Sequence, residues 1–352
     1  MLKHSNCQQV AIHPLIKRQG LSSNNIVISL QANRDNIDVT DVTWRHLLEQ
    51  ELLTNFATIE EVQQGLAEQS YIADRSLATA IFLALKRRKP LLLEGEPGVG
   101  KTEVAKVLTA MLNTNLLRLQ CYEGIDVSTA VYEWNYTRQM LYIRMSEAGN
   151  ISHQEELKEI FGPEFLMQRP LLQAINPANA TPPVLLIDEL DRSDEEFEAY
   201  LLELLSDFQI TIPEIGTIKA KEPPYVIITS NRTREIHDAL RRRCLYYWID
   251  FPTLDKEFAI VQARMPQVSE HLAMQVCAFV REIRSMDLYK APGVAETLDW
   301  ISSLLALNQL ELLEGPVRDT LGALLKYQDD ILKVGGVDLN KIVQKVRGAF
   351  SS

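Results

Sequence analysis

The chain has 352 residues, of which 46% are apolar and 24% charged, close to the averages for globular proteins. This length suits two domains better than one, and 15 glycines and 15 prolines exclude collagen-like and low-complexity architectures. Asp and Glu outnumber Lys and Arg by 47 to 36, which gives a net charge of -11, so the chain lacks the overall basic charge of a nucleic-acid-binding protein.

The distribution of apolar residues and cysteines indicates a cellular location. No apolar run reaches the roughly 18 residues that a membrane-spanning helix needs, and residues 1–20 lack the apolar core of a signal peptide. The histidines form no HExxH pattern, and the cysteines form no CxxC pair, which is typical of reduced thiols. The cysteines are Cys7, Cys121, Cys244 and Cys277. We expect a cytoplasmic protein without a protein-bound zinc site and without a membrane partner.

Residues 1–55 differ in composition from the rest of the chain. They are polar and rich in Asn, Gln and Ser, and only NIVISL (25–30) has the pattern of a short strand. We interpret this segment as an N-terminal extension that is either weakly ordered or a small add-on. A docking segment for a partner is the alternative.

Two helices are predicted at the start of the following region, residues 56–252. TIEEVQQGLAEQ begins with a capping box, in which Thr58 caps the helix and Glu61 lies three residues later. The stretch at 73–89 has an apolar stripe and a basic end, which is favoured at a helix C-terminus, and Pro90 stops it.

Five apolar runs of strand length follow. They lie at 91–95, 116–121, 184–190, 225–231 and 246–251. The runs are nearly continuous rather than alternating, which favours parallel strands buried on both faces. Helical patterns lie between them, as at 102–112 and 195–208, and this alternation predicts a doubly wound α/β layer with a five-stranded parallel sheet. From residue 253 to 352 only helical periodicity remains, which predicts a small all-α domain.

The strongest functional signal is GEPGVGKT at residues 95–102, which fits the pattern G-x-x-x-x-G-K-[ST] between a predicted strand and a predicted helix. Glycines let backbone N–H groups surround phosphate oxygens, and the helix N-terminus favours negative charge. Lys101 is positioned to reach the β- and γ-phosphates, and Thr102 to offer its hydroxyl to Mg²⁺. The candidate residues are Gly95, Glu96, Pro97, Gly98, Val99, Gly100, Lys101 and Thr102.

The second signal is an acidic pair at the end of a predicted buried strand, VLLIDELDR at 184–192. Ligands bind at the carboxyl edge of open α/β sheets. There Asp188 would bind Mg²⁺ directly or through water, and Glu189 would activate the attacking water as a base. A helix N-cap is the alternative for such a pair. The further acids at 194–198 are interpreted as the solvated start of a helix.

Polar residues also end the next strand, YVIITSNR. Thr229 and Asn231 lie at its carboxyl end, where the Asn231 amide could hold a water beside the γ-phosphate. A strand-end cap is an equally simple explanation of this residue.

Three arginines lie in ALRRRC at 239–244, at the end of a predicted helix. Basic residues are favoured there by the helix dipole. Guanidinium groups on a rigid element can also stabilise the phosphate of a nucleotide that is bound to a neighbouring subunit. We therefore predict an intersubunit arginine finger at Arg243, with Arg242 as the alternative.

The order of these motifs resembles that of the AAA+ ATPases: a P-loop, an Asp-Glu strand, an asparagine strand end, arginines and a helical lid. SDFQITIPEIGTIKAKEPPYVIITSN resembles the β-hairpin that precedes the sensor strand in the MoxR branch, with TIP and EIGTIKA as its arms. Within that branch, QCYEGIDVSTAVYEWNY, LLQAI, TSNRTREIHDALRRRCLYYWIDFP and PGVAETLDW are most similar to the CoxD subgroup. The resemblance covers about residues 60–330.

This resemblance implies a function and a set of partners. It implies ATP hydrolysis with Mg²⁺ in a homo-oligomeric ring, most simply a hexamer, that remodels or matures a protein client. The subgroup is linked to maturation of molybdenum-containing hydroxylases and carbon monoxide dehydrogenase, and such ATPases usually act with a separate von Willebrand factor A-domain protein. By position, residues 95–102 would be the Walker A motif, Asp188 and Glu189 Walker B, and Asn231 sensor 1.

One departure from the MoxR pattern is visible. Many of those proteins have an arginine that opens a lid helix and senses the γ-phosphate, but APGVAETLDW (291–300) has none. Either Lys290 or another lid cation substitutes for it, or the lid couples less directly to the nucleotide.

Two other classes of function compete with this interpretation. A nucleic-acid motor or loader would grip its substrate with the inserted hairpin, but the segment from Thr211 to Ala220 holds no aromatic residue to stack on a base. A nucleotide-switched scaffold with little turnover would fit the missing arginine, although Glu189 and the arginines argue against it.

Overall fold

The computed structural model describes residues 56–146, 159–336 and 339–350. The predicted N-terminal extension, with its candidate strand at 25–30, lies outside these residues. None of the helices within the described ranges is both long and apolar enough to cross a bilayer.

The described residues contain fourteen α-helices and nine strands, named here in chain order. The strands are β1 Leu91–Gly95, β2 Leu116–Gln120, β3 Tyr132–Trp134, β4 Leu166–Gln168, β5 Val184–Asp188, β6 Gln209–Ile212, β7 Gly216–Lys219, β8 Tyr225–Ser230 and β9 Leu245–Ile249. The helices up to the last strand are α1 Ile59–Glu68, α2 Arg75–Arg87, α3 Lys101–Met111, α4 Val127–Ala130, α5 Tyr136–Ser146, α6 Pro170–Ala174, α7 Glu195–Asp207 and α8 Asp238–Arg243. The helices after it are α9 Leu254–Arg264, α10 Glu270–Arg284, α11 Val294–Ala306, α12 Glu314–Leu324, α13 Gln328–Gly336 and α14 Leu339–Ala349.

The predicted cap of the first helix is present, and the second helix ends with the predicted basic residues Lys86 and Arg87. Thr58 Oγ1 accepts from the Glu61 N–H at 3.1 Å, while Glu61 reaches back to the Ala57 N–H at 2.6 Å. The second helix is capped by Asp74, whose Oδ1 accepts from the Leu77 N–H at 2.8 Å. Both caps satisfy N–H groups that a helix start leaves without an internal partner.

The predicted five-stranded parallel sheet is confirmed, in the order β2-β5-β8-β1-β9. The three central strands β5, β8 and β1 are buried along their whole length. The edge strands β2 and β9 are partly exposed, because each has a neighbour on one side only. All five carboxyl ends lie at one edge of the sheet, since the strands are parallel.

Two small antiparallel pairs accompany the main sheet. Strands β6 and β7 form the predicted hairpin, whose turn at residues 213–215 leads into Gly216 with φ +97°. Strands β3 and β4 pair Trp134 with Leu166, and the sequence patterns did not predict this pair. Each of its strands has three residues, too few to show a period.

The region after β9 contains helices joined by short connections and no strand within the described residues, as predicted. Its apolar side chains form a hydrophobic core of their own, centred on Phe279 and Trp300, whose ring centroids lie 5.1 Å apart. Two further clusters occupy the two faces of the parallel sheet. The predicted boundary at residues 252 and 253 lies in the connection between β9 and α9.

Candidate nucleotide-binding site

The glycine-rich loop connects β1 to the N-terminus of α3 at the carboxyl edge of the sheet. A Cβ at Gly95 would lie 2.2 Å from the Ile249 carbonyl oxygen, so only glycine fits between the two strands. Gly98 has φ +79°, a left-handed conformation that is strained for other residues. The sequence therefore forms a tight loop that delivers backbone N–H groups and a helix N-terminus to one place.

Lys101 begins α3 and is buried beneath this loop. Its Nζ donates to the carbonyl oxygens of Gly95 at 2.7 Å and Glu96 at 2.8 Å. Burial lowers the pKa of Lys101 to about 8, although nearby carboxylates, that of Asp191 foremost, act in the opposite direction. The ammonium is thus confined and poorly hydrated, and an anion in the loop would stabilise its charged form.

Thr102 and Asp188, the two residues proposed from the sequence as metal ligands, are in direct contact. Asp188 Oδ1 accepts hydrogen bonds from Thr102 Oγ1 at 3.0 Å and from Thr229 Oγ1 at 2.6 Å. Its Oδ2 accepts two from Arg118, one from Nε at 3.0 Å and one from Nη2 at 2.6 Å. Sequence reasoning missed Arg118, although a single arginine inside the apolar run LLRLQC was a visible signal.

Glu189 lies directly after β5, in a left-handed conformation with φ +54°. Its Oε2 accepts from Gln120 Nε2 at 3.2 Å and pairs with Arg192 Nε at 3.0 Å. Its backbone N–H donates to Thr229 Oγ1 at 2.9 Å. Thr229 therefore connects the backbone of one acidic residue to the side chain of the other.

Asn231 lines the same cavity as these acidic residues, and its loop is held by Asp191. The buried Asp191 carboxylate accepts from the Asn231 N–H at 3.2 Å, from the Thr233 N–H at 2.8 Å and from Thr233 Oγ1 at 2.6 Å. Asp191 was not predicted to have a role. Its signal was the third acid in IDELD, three residues after Asp188.

The three arginines of α8 have different surroundings. Arg241 reaches inward, where its Nη2 lies 3.3 Å from Oε2 of the buried Glu94. Arg243 donates to Ser206 Oγ at 2.8 Å and to the Ala239 carbonyl at 3.3 Å. Arg242 is exposed, and within the described residues it makes no side-chain hydrogen bond or ion pair.

A cavity of about 440 Å³ lies where the loop, the sheet edge and the helical region meet. Its apolar part includes Tyr71, Ile72, Ile260 and Leu298. The cations that line it from the helical region are Lys256, which pairs with Asp74 at 3.0 Å, and Arg264, which pairs with Glu103 at 2.7 Å. Lys290, predicted as a substitute sensor, is not among the lining residues.

The start of α11 packs directly on the glycine-rich loop. The Ala295 N–H donates to the Gly98 carbonyl at 3.2 Å. A Cβ at Gly293 would lie 2.8 Å from Gly98 Cα and 2.7 Å from the Pro97 carbonyl oxygen. The two backbones meet without a side chain between them, and the Gly293 N–H donates to Glu296 Oε2 at 3.0 Å.

Comparisons with known proteins agree with this geometry. Residues 90–244 match the family model described as an AAA domain of the dynein-related subfamily. An uncharacterized protein of Staphylococcus epidermidis is 22% identical over 240 residues, which cover 66% of this chain and 81% of that protein. One of Staphylococcus haemolyticus is 23% identical over 253 residues, which cover 70% and 87%.

Solved structures of RuvB from Thermotoga maritima are also similar. Its Holliday junction branch migration motor is 19% identical with a TM-score of 0.40, over 77% of this chain and 80% of that one. A point mutant of it reaches a TM-score of 0.43 at 19% identity over 83% of both chains. The match of residues 90–244 to this family model, the five-stranded parallel sheet and the glycine-rich loop before α3 together show the P-loop NTPase fold of AAA+ domains.

Proposed function

We propose that this protein binds Mg²⁺-ATP in the cavity beside the P-loop and hydrolyses it at the interface between subunits of a homo-oligomeric ring. The observation that carries this proposal is that Lys101, Thr102, Asp188, Glu189 and Asn231 all line one cavity. These residues come from α3 and from two neighbouring strands, and their types are those that phosphoryl transfer requires.

The residues present fit the nucleotide and the metal. The glycine at 95 leaves the loop pressed on β9, where a Cβ would clash, and the positive φ of Gly98 opens the loop toward the cavity. Hydroxyl and carboxylate oxygens are the ligands that Mg²⁺ prefers, and Thr102 and Asp188 supply both within 3.0 Å of each other. Mg²⁺, when bound, neutralises charge that develops on the phosphates.

Each side chain then has a separate task. Lys101 exchanges its carbonyl partners for phosphate oxygens, which are better acceptors because they are charged. Thr102 would hold the metal through a lone pair of its hydroxyl oxygen and would still donate its hydrogen bond to Asp188. Glu189 accepts a proton from the attacking water, and Asn231 orients that water from the next strand end. The apolar side chains of Ile72, Ile260 and Leu298 cover the adenosine end of the ligand.

The surroundings of the three arginines in α8 favour one of them as the finger that acts on the neighbouring subunit's phosphate. Arg243 is bonded to α7 through Ser206, and Arg241 faces the buried Glu94 of its own strand β1. Arg242 and Arg243 are both exposed, but within the described residues Arg242 makes no side-chain hydrogen bond or ion pair. We therefore assign the finger to Arg242, the alternative in the sequence prediction, rather than to Arg243.

The biological task proposed is that of a MoxR-branch ATPase of the CoxD type, in the cytoplasm. Such a protein would remodel or mature a client, here a molybdenum-containing hydroxylase or carbon monoxide dehydrogenase, together with a von Willebrand factor A-domain protein. The support is the set of CoxD-like segments and the β6–β7 hairpin before β8. Genes for such proteins beside the gene for this chain would support the assignment, and their absence would count against it.

Two substitutions test the proposed reaction. Lys101→Ala should lose ATP binding in calorimetry, because it removes the cation that faces the phosphates. Glu189→Gln should retain ATP binding but hydrolyse it at least a hundredfold more slowly, because the amide cannot accept the proton. The matched controls are Lys106→Ala on the exposed face of α3 and Glu203→Gln on that of α7. Unchanged ATP affinity in Lys101→Ala, or full turnover in Glu189→Gln, would contradict the proposal.

A further inference from the structure

The Asp188 carboxylate is surrounded by a complete set of hydrogen-bond donors. A carboxylate offers about four acceptor positions, two on each oxygen. Thr102 and Thr229 occupy Oδ1, and the Nε and Nη2 groups of Arg118 occupy Oδ2. A metal ion, or a water bound to one, can therefore reach this carboxylate only if one donor leaves.

The donors differ in their freedom to leave. Thr229 is buried in β8, and its hydroxyl also accepts from the Glu189 N–H, which fixes its direction. Thr102 belongs to the first turn of α3 and can face a metal without giving up its hydrogen bond to Asp188. The Arg118 side chain is 51% exposed, whereas that of Asp188 is 3% exposed. Arg118 is thus the donor whose side chain can move into solvent when it leaves Asp188.

We propose that Arg118 is a positioning residue that competes with the metal for Asp188. This proposal rests on the proposed binding of Mg²⁺-ATP. In the nucleotide-free protein the guanidinium neutralises Asp188 and blocks Oδ2, so the acidic edge of the sheet holds a divalent cation poorly on its own. When the cation arrives with nucleotide, Arg118 gives up Oδ2 to the metal or to its water, and the guanidinium moves toward solvent.

A second hydrogen bond fixes the position of the Arg118 guanidinium beside Asp188. Its Nη2 also donates to Gln120 Oε1 at 2.6 Å, two residues along the same edge strand. The fork of the guanidinium thus spans Asp188 and Gln120, and a lysine ammonium cannot reproduce this planar geometry. The charge and the planar shape of the guanidinium contribute separately to this competition for Asp188. Substitution by Met removes both, whereas substitution by Lys keeps the charge alone.

The test measures metal binding directly, in addition to activity. Mn²⁺ binding to the nucleotide-free full chain is followed by electron paramagnetic resonance, for wild type, Arg118→Met and Arg118→Lys. Arg118→Met should bind Mn²⁺ at least tenfold more tightly than wild type, because it removes both a competing donor and a repelling charge. Arg118→Lys should lie between the two. The Mg²⁺ concentration that half-saturates ADP binding in calorimetry should be highest for wild type, lower for Arg118→Lys and lowest for Arg118→Met.

Two controls separate this proposal from its alternatives. Arg192→Met removes a similarly exposed charge that pairs with Glu189 instead, so an equal gain in Mn²⁺ affinity there would overturn a specific competition at Asp188. Asp188→Asn in the Arg118→Met background should abolish the gain. Unchanged or weaker Mn²⁺ binding in Arg118→Met, in protein whose circular dichroism and melting temperature match wild type, would also overturn it. If wild type binds no nucleotide while these Mn²⁺ results hold, the proposed function fails and the competition at Asp188 stands.

Discussion

The sheet edge and the helical region each hold buried carboxylates against arginines, but the arginines differ. In the helical region, Glu257 accepts from Arg284 Nη1 at 2.6 Å and Nη2 at 2.8 Å, and from Thr297 at 2.8 Å. The Glu257 side chain is fully buried and that of Arg284 is 9% exposed. Both members of this pair are therefore enclosed.

At the sheet edge the carboxylates are equally buried, but their arginines are not. Arg118 on Asp188 is 51% exposed and Arg241 on Glu94 is 31% exposed; Arg234, which pairs with Glu198 in the first turn of α7, is 35% exposed. An exposed arginine regains its hydration when it leaves, so the only cost is that of the buried carboxylate, which a second cation can offset; in an enclosed pair both charges lose, by several kcal/mol. The comparison indicates that the Glu257 pair is permanent and that the sheet-edge pairs can exchange partners.

The largest effect that sharpens this comparison is expected at Arg242, which makes no side-chain hydrogen bond or ion pair within the part of the chain that the structure describes. Arg242→Ala should retain ATP binding and thermal stability but reduce hydrolysis about a thousandfold or more, as removal of arginine fingers does elsewhere. Turnover is measured in rings of each variant alone and of Arg242→Ala mixed with Lys101→Ala. Mixed rings should regain activity where a Lys101→Ala subunit supplies Arg242 to its neighbour.

The control for this prediction is Arg243→Ala, which removes a side chain already bonded to Ser206. It should retain most of the turnover. If Arg243→Ala is inactive and Arg242→Ala active, the finger is Arg243, as the sequence first predicted.

The second prediction breaks the enclosed pair. Arg284→Met should lower the free energy of unfolding by about 3 kcal/mol, because it leaves Glu257 buried without its ionic partner. Urea unfolding followed by circular dichroism measures this loss. Adding Glu257→Met should recover much of the stability, since an apolar pair needs no charged partner. A loss below about 1 kcal/mol for Arg284→Met would show that Glu257 is not enclosed as described.

The smallest effect is expected at an exposed pair between the two regions, Lys256 with Asp74. Burial raises the pKa of Asp74, but hydrogen bonds from the Leu77 N–H, Ser76 and Lys256 outweigh it and hold the pKa below its usual value. The ionised form is therefore favoured by folding. This contribution is present above the unfolded pKa of about 4 and is lost as pH falls further.

Asp74→Asn should consequently cost below about 1 kcal/mol at pH 7, since solvent screens the pair and asparagine still caps α2. Melting temperatures of wild type and variant should converge as the pH is lowered below 4. A difference that stays constant with pH would mean that the charge of Asp74 contributes nothing.

The parts of the site that were predictable are those in which local sequence determines position. The P-loop is a contiguous motif, and Asp188, Glu189 and Asn231 follow buried strands whose ends meet because the sheet is parallel. Their roles remain predictions until the substitutions above are made. The fold class was predictable for the same reason, since strand and helix patterns alternate along the chain.

The parts that were missed depend on which strands are neighbours. Arg118 reaches Asp188 only because β2 lies beside β5, with Gln120 opposite Asp188. No local pattern specifies that neighbour or that register. The bond from Asp191 to Thr233 likewise joins residues that are far apart in sequence. Long-range pairing is decided by the packing of the whole sheet, so single-sequence patterns contain little of it.

The contact of Gly98 with Gly293 has a mechanical consequence. Two backbones in direct contact have no rotatable side chain that could absorb a displacement. If a ligand shifts the P-loop, helix α11 must shift with it or lose the Ala295 hydrogen bond to Gly98. A chain built in this way can convey the occupancy of its loop to the helical region by position alone, without the arginine that APGVAETLDW lacks. The methyl group of Gly293→Ala would push α11 away from Gly98. It would therefore weaken this mechanical coupling without removing any contact to the ligand.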